Sequence, residues 1–128
     1  MSRILVTGGA GFIGSHTCLA LLERNYKVLI IDSFINSSPI ALKRVKKIFN
    51  QNHSQQNNIQ IVKGDLRDIK LLENIFLRAK LEQDPIEAVI HFAGLKSVSD
   101  SIKKPLEYWD NNLIGTINLL KIMDQNKC

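Results

Sequence analysis

The chain has 128 residues, 45% of them apolar and 23% charged, with 17 basic side chains against 12 acidic ones for a net charge of +5. These totals describe one soluble globular domain with a single core, and they exclude both a disordered chain and a protein with two cores. No apolar run reaches the roughly 18 residues of a membrane span and no leader-like opening is present, so a cytoplasmic protein without membrane contact is expected.

In chain order, the first apolar run is Ile4 to Thr7, followed by glycines at positions 8, 9, 11 and 14. Ile13, Cys18, Leu21 and Leu22 then give a helical apolar face that ends near Asn25. A second run, Val28 to Ile31, leads into Asp32. Pro39 suits the first turn of a second helix reaching about Phe49, with Leu42, Val45, Ile48 and Phe49 inward. Lys43, Arg44, Lys46 and Lys47 are interleaved on its solvated face.

The polar patch NQNHSQQNN, residues 50 to 58, reads as a loop with His53 in solvent. After the third run, Ile59 to Val62, comes GDLRD at 64 to 68. There Asp68 is placed to cap a helix carried by Leu72, Ile75, Phe76 and Ala79. The fourth run, Ala88 to Phe92, is followed by the loop HFAGLKSVSDS at 91 to 101. Pro105 then opens the longest helix, to about Gln125.

Each apolar run is short, β-branched and almost without polar alternation, as in strands buried on both faces of a parallel sheet. Strands alternating with helices predict an α/β fold, a Rossmann-like doubly wound parallel sheet of order 3-2-1-4 that stops after its fourth β-α unit. Residues 1–128 are thus expected to be one dinucleotide-binding domain, incomplete because later strands are absent.

The glycines satisfy two spacings at once, Gly9-x-Gly11-x-x-Gly14 and Gly8-x-x-Gly11-x-x-Gly14. They follow a strand, open a helix, and are answered by Asp32 at the end of the next strand, 18 residues after Gly14. Glycines permit a tight turn and close approach of a pyrophosphate, and the helix N-terminus offers amide protons and positive potential. Asp32 can accept hydrogen bonds from both hydroxyls of an adenine ribose and repels a 2′-phosphate, so NAD is expected rather than NADP.

Further candidates lie beyond the strand ends, where ligands of such sheets bind. Asp65 is placed to reach an adenine amino group, and Ala93 and Gly94 allow a cofactor to pass close to the backbone. The plainer readings stay open: Asp65 and Asp68 as helix caps, Lys96 as a solvated lysine. His91 reads as a packed, hydrogen-bonded core residue and His16 as a helix residue near the loop. Cys18 and Cys128 lack the spacing of a disulfide framework or zinc site, so reduced thiols and no metal are expected. The basic excess comes without base-stacking aromatics or a binding motif, which argues against a nucleic-acid partner.

TGGAGFIGSH, the Asp32 loop, GDLRD and HFAGLKSVSDSIKKPLEYWDNNLIGTINLL resemble the amino-terminal part of the UDP-glucose 4-epimerases, within the extended short-chain dehydrogenase/reductase family. The likeness runs along nearly the whole chain. It implies that Phe12 and Ile13 donate backbone N–H groups to the pyrophosphate, with Gly8, Gly11 and Gly14 beneath it. It places Asp32 and Ser33 at the adenine ribose, Asn36 and Ser37 along the adenosine half, and Asp65 and Leu66 at the adenine. Phe92, Ala93, Gly94, Leu95 and Lys96 would line the cofactor's middle, Lys96 reaching the nicotinamide ribose, with Asn111 contributing from the long helix. One departure is Ser33, where the family often has asparagine.

The resemblance further implies interconversion of UDP-galactose and UDP-glucose, in galactose metabolism, by transient oxidation at C4 with NAD. The family's base is a tyrosine followed four residues later by a lysine. Here Tyr26 is followed at that distance by Ile30 and Tyr108 by Asn112, so the expectation is NAD binding without turnover. A UDP-sugar is expected as partner only if the missing half is supplied. Self-association is expected through the helix at 105–125, where Leu113, Ile114, Ile117, Leu119, Leu120, Ile122 and Met123 spread too widely for one buried stripe. Two other readings compete: a non-catalytic NAD-binding module, regulatory or vestigial, and a basic nucleic-acid binder.

Overall fold

The computed structural model describes residues 2–53 and 57–128. The element order is β1 (Arg3–Thr7), α1 (Phe12–Glu23), β2 (Lys27–Asp32), α2 (Pro39–Asn52), β3 (Ile59–Lys63), α3 (Ile69–Leu81), β4 (Ile86–His91) and α4 (Val98–Lys103). A last helical run follows as α5 (Pro105–Tyr108), a π-helical turn (Trp109–Ile114) and α6 (Gly115–Gln125). The four strands pair in parallel in the order β3-β2-β1-β4, the expected topology.

Alternate residues along each strand face opposite sides of the sheet. Leu5, Leu29 and Ile31 accordingly pack with Leu72, Ile75, Phe76 and Ala79 of α3 and with Leu119 and Ile122 of α6. Ile4, Val6, Val28 and Ile30 pack on the other face against Cys18 and Leu22 of α1 and Leu42, Val45 and Phe49 of α2. Burial pushes the Cys18 thiol up to about 12, so it is an inert core residue.

Burial on both faces holds for β1 and β2 but not for β3 and β4. Those two are the edge strands, and each has a neighbour on one side only. Ile13 and Ile48 were also expected inside and are 61% and 42% exposed. Ile13 occupies the open first turn of α1, and Ile48 lies on the rim of a shallow groove between α1 and α2.

The helix starts follow local chemistry. Ser38 caps α2 by accepting from the Ile40 N–H, with Pro39 in the first turn. Asp68 caps α3 through the Leu71 N–H at 3.1 Å, as expected. Against expectation, α2 continues past Phe49 to Asn52, and His53 is not a freely solvated side chain. Its ring stacks on buried Phe49, centroids 4.5 Å apart, with Nδ1 3.2 Å from the Phe49 carbonyl oxygen. Of the polar patch, residues 54–56 lie outside the described residues.

The expected loop at 91–101 contains a helix, α4, whose N-cap Ser97 accepts from the Asp100 N–H. The long helix departs from regular geometry at Trp109–Ile114, where it widens into a π-helical turn while keeping right-handed dihedrals at both junctions. Among the described residues no helix is long and apolar enough to cross a membrane.

Candidate functional site

A cavity of about 330 Å³ opens at the carboxyl edge of the sheet. Its walls are Gly8, Gly11, Phe12, Ile13 and Gly14 from the first loop and α1, then Asp32, Ser33, Asn36 and Ser37 after β2. Asp65 and Leu66 follow β3, Phe92 to Lys96 follow β4, and Asn111 enters from the π-helical turn. The structure brings every residue that the family resemblance assigned to the cofactor to one crevice, leaves Gly9, Asp68, His16 and His91 outside its lining, and adds Ile31, Ile35 and Gly64.

The two overlapping glycine spacings separate here. Gly8 has φ +67°, and a Cβ on it would stand 2.7 Å from the Ala93 nitrogen. A Cβ on Gly14 would run into the Gly8 carbonyl oxygen. Gly9 instead packs toward Ile30 and Cys18 and does not border the cavity. The spacing that borders the cavity is Gly8-x-x-Gly11-x-x-Gly14. Gly11 is the N-cap of α1, with no side-chain cap and no acidic residue in the first turn. The amides of Phe12, Ile13 and Gly14 thus have no intrahelical acceptor and present positive potential to the cavity, which suits an anion.

Asp32 is 7% exposed. Its Oδ2 accepts from the Ala10 N–H at 2.9 Å, and its Oδ1 accepts from the Phe34 N–H and the Ser37 hydroxyl, each at 2.9 Å. These three donors satisfy the buried carboxylate and lock its orientation. Counting lone pairs, one acceptor position on Oδ2 is open, and Ser37 must turn aside before Oδ1 can take another donor.

Asp65 lines the cavity but is drawn toward Arg67. The Arg67 Nη2 lies 2.7 Å from Asp65 Oδ2, and the Arg67 N–H donates to Oδ1 at 2.9 Å. Hydrogen bonds from the Arg67 side chain hold the Asp65 carboxyl below its ordinary range, against the opposing effect of burial. Arg67 Nη1 also reaches Asp110 Oδ2 at 2.7 Å, tying the loop after β3 to the π-helical turn. Lys96 is folded back, its Nζ donating to the Phe92 carbonyl at 2.9 Å. His16 is an exposed residue of α1, as expected, with its ring edge-on to Phe12 at 5.1 Å.

His91 is a correction. It is hydrogen-bonded, with Nδ1 2.6 Å from Thr7 Oγ1 and Nε2 2.9 Å from Thr116 Oγ1, yet it is exposed, because β4 is an edge strand. Partial burial, and secondarily the charge on Lys96, hold its pKa below the ordinary histidine value.

Sequence reasoning missed the residues that carry the cavity walls from behind. The Asn112 side chain grips Leu95 twice, Oδ1 accepting from its N–H at 2.7 Å and Nδ2 donating to its carbonyl at 2.9 Å. The Ser97 N–H donates to the Tyr108 hydroxyl at 3.0 Å. Asn118 Nδ2 donates to the Leu66 and Arg67 carbonyls at 3.1 and 3.2 Å. The available signal was the Asn111-Asn112 pair inside a helix, where asparagine has poor propensity and needs another reason to be.

A four-stranded parallel sheet with helices on both faces and a glycine loop at a helix N-terminus defines a Rossmann-like domain. The chain belongs to the GDP-mannose 4,6 dehydratase family, whose model matches residues 5–128. It is 49% identical over 125 residues to UDP-glucose 4-epimerase 2 of Arabidopsis thaliana, a match covering 98% of this chain and 33% of that protein. The solved UDP-glucose 4-epimerase of Bifidobacterium longum, in complex with NAD+ and UDP, superposes with TM-score 0.83 at 44% identity, over 98% of this chain and 34% of that one. The Stenotrophomonas maltophila enzyme, with bound NAD and formylated UDP-arabinopyranose, gives TM-score 0.84 at 37% identity, over 99% and 34%. This chain therefore corresponds to the amino-terminal portion of such enzymes and spans about a third of their length.

Proposed function

We propose that residues 1–128 are an NAD-binding domain of a UDP-glucose 4-epimerase, which holds the cofactor and does not by itself turn over a sugar nucleotide. The observation that carries this reading is the shared cavity, which joins a helix N-terminus with no acidic residue in its first turn to the oriented Asp32 carboxylate. Gly8 and Gly14 let the loop backbone pack closely beside the cavity, where a Cβ at either position would collide with neighbouring backbone. The cavity falls at the lower end of the ~300–1,000 Å³ of ligand sites, which suits an elongated molecule lying in an open crevice.

Within this reading the amides of Phe12 and Ile13 receive the pyrophosphate, and Asp32 receives the adenine ribose and disfavours a 2′-phosphate. Ser33, Asn36 and Ser37 border the adenosine half, with Asp65 and Leu66 at the adenine. Phe92, Ala93, Gly94, Leu95, Lys96 and Asn111 border the middle of the cofactor. When bound, NAD supplies a hydride acceptor for oxidation at a sugar carbon. The chain holds that group, orients it and shields it, but has no Tyr-x-x-x-Lys to move the proton.

Calorimetric titration with NAD and with NADP tests this directly. Binding of NAD, weaker binding of NADP, and loss of NAD binding in Asp32→Ala are expected; equal affinity for the two cofactors would contradict the role given to Asp32. Measured turnover of UDP-galactose by the purified chain would falsify the claim of inactivity. We also propose self-association through the helix at 105–125, where Leu113, Ile114, Ile117 and Leu120 stand 44%, 42%, 37% and 57% exposed while Leu119 and Ile122 are buried in the core. A monomer in sedimentation at tens of micromolar concentration would remove that part.

A further inference from the structure

One wall of the cavity, Phe92 to Lys96, packs on the core only at its start, through Phe92 and Ala93, and none of its five residues is fully buried. What holds it is a closed circuit of hydrogen bonds that leaves this loop and returns to it. The Ala93 N–H donates to Thr7 Oγ1 at 3.2 Å, and Thr7 Oγ1 lies 2.6 Å from His91 Nδ1. His91 Nε2 lies 2.9 Å from Thr116 Oγ1, whose hydroxyl donates to the Asn112 carbonyl at 2.6 Å. The Asn112 side chain closes the circuit on the Leu95 backbone.

The hydrogen-bond partners of the imidazole favour its neutral form with the hydrogen on Nε2. Thr116 spends its proton on the Asn112 carbonyl, so it can only accept from His91, and Nε2 carries a hydrogen. With the hydrogen of a neutral ring on Nε2, Nδ1 is bare and lies 2.6 Å from Thr7 Oγ1, where it takes the Thr7 hydroxyl proton, while Thr7 Oγ1 accepts from the Ala93 N–H. A second proton on His91 would turn Nδ1 into a donor and leave the Thr7 hydroxyl proton without an acceptor. Thr7 is 0% exposed, so water cannot take that role. Around the ring, β1 and α6 present the neutral hydroxyls of Thr7 and Thr116, and the loop presents Lys96, whose charge also opposes protonation.

We propose that His91 and Asn112 are positioning residues, which hold the Phe92–Lys96 wall in the shape that receives NAD by completing this circuit with His91 neutral. The inference rests on the NAD-binding reading given above. The π-helical turn belongs to the same device, because it sets Asn111 on the cavity while Asn112 grips Leu95. Such turns are rare and concentrate at functional sites.

The test measures NAD affinity between pH 7.5 and 5.5, together with amide exchange at Ala93 and Leu95, for the 128-residue chain and three variants. Asn112→Ala is expected to bind NAD about tenfold more weakly, as follows from losing two hydrogen bonds of ordinary strength. The same variant should exchange the Leu95 amide faster. Asn112→Asp keeps an acceptor for the Leu95 N–H and should recover part of both. The readout that a merely structural role would not move is the pH profile. Unaltered protein should lose affinity and Ala93 protection on acidification, whereas His91→Gln, which keeps a donor for Thr116 but does not titrate, should hold both constant. Identical pH profiles for the unaltered chain and His91→Gln overturn the inference, as does unchanged Leu95 exchange in Asn112→Ala. No NAD binding by the unaltered chain at pH 7.5 overturns the NAD reading and this inference together, whereas the other adverse outcomes strike only the inference.

Discussion

The two long walls of the cavity are built on different principles. On the β1-α1-β2 side the shape is made by backbone: a left-handed Gly8, a Gly14 pressed against the Gly8 carbonyl, and a buried Asp32 with three donors. On the β4 side it is made by side chains reaching from the last helical run, Asn112 to Leu95, Tyr108 to Ser97 and Thr116 to His91. The first wall sits between packed layers of core, the second at the open edge of the sheet. A backbone-made wall fails through steric overlap and a side-chain-made wall through lost hydrogen bonds, so the two respond differently to substitution and to pH.

The hardest blow to the first wall is Gly14→Val, whose side chain has only backbone to displace. It is expected to destabilise the chain by about 3 kcal/mol, which lowers the thermal midpoint by roughly 10 °C. A smaller loss than that of a surface substitution would mean the turn is more pliable than described. Asp32→Ala follows, stranding the Ala10 and Phe34 amides and the Ser37 hydroxyl at a cost of about 2 kcal/mol in urea unfolding.

The second wall should yield less. Asn112→Ala is expected to cost about 1–2 kcal/mol, again by urea unfolding. His91 adds a pH dependence whose sign follows from its lowered pKa. The folded state prefers the neutral ring, so this contribution is complete above the unfolded histidine value of about 6.5 and is lost as pH falls from there through the folded value. Urea midpoints at pH 7.5 and 5.5 should therefore differ more for the unaltered protein than for His91→Gln. Smallest of all is Lys46→Glu on the exposed face of α2, expected within about 0.5 kcal/mol and serving as the baseline for both walls.

The first wall was also the legible one. Its glycines, the strand before them and the acid after the next strand are adjacent or regularly spaced in the chain, and their constraints are local ones of dihedral angle and close approach. Even so, the choice between the spacings beginning at Gly8 and at Gly9 needed the fold, since only the packing of Ile30 and Cys18 shows which glycine turns away from the cavity. The second wall was legible only as a list of residues. Its support comes from Asn112, 17 positions away from Leu95, and from Thr7, 84 positions away from His91, and no local pattern encodes such pairings. The exposure of His91 and Ile13 escaped for the same reason: hydrophobic pattern tells which residues favour burial, while the place of β4 at the sheet edge and of the first turn of α1 beside the open cavity decides which obtain it.

By itself the sequence determined the four strands, the class of fold, the strand order and the set of residues at the carboxyl edge. Periodicity, capping and glycine chemistry are properties of neighbours along the chain, and a parallel sheet with short crossovers leaves few topologies to choose from. Tertiary structure alone decided the π-helical turn, the partners of the His91 ring and the circuit behind the wall after β4. Those depend on which hydroxyls, amides and ring nitrogens come within 3 Å of one another, and that is set only once both layers of helices have packed on the sheet.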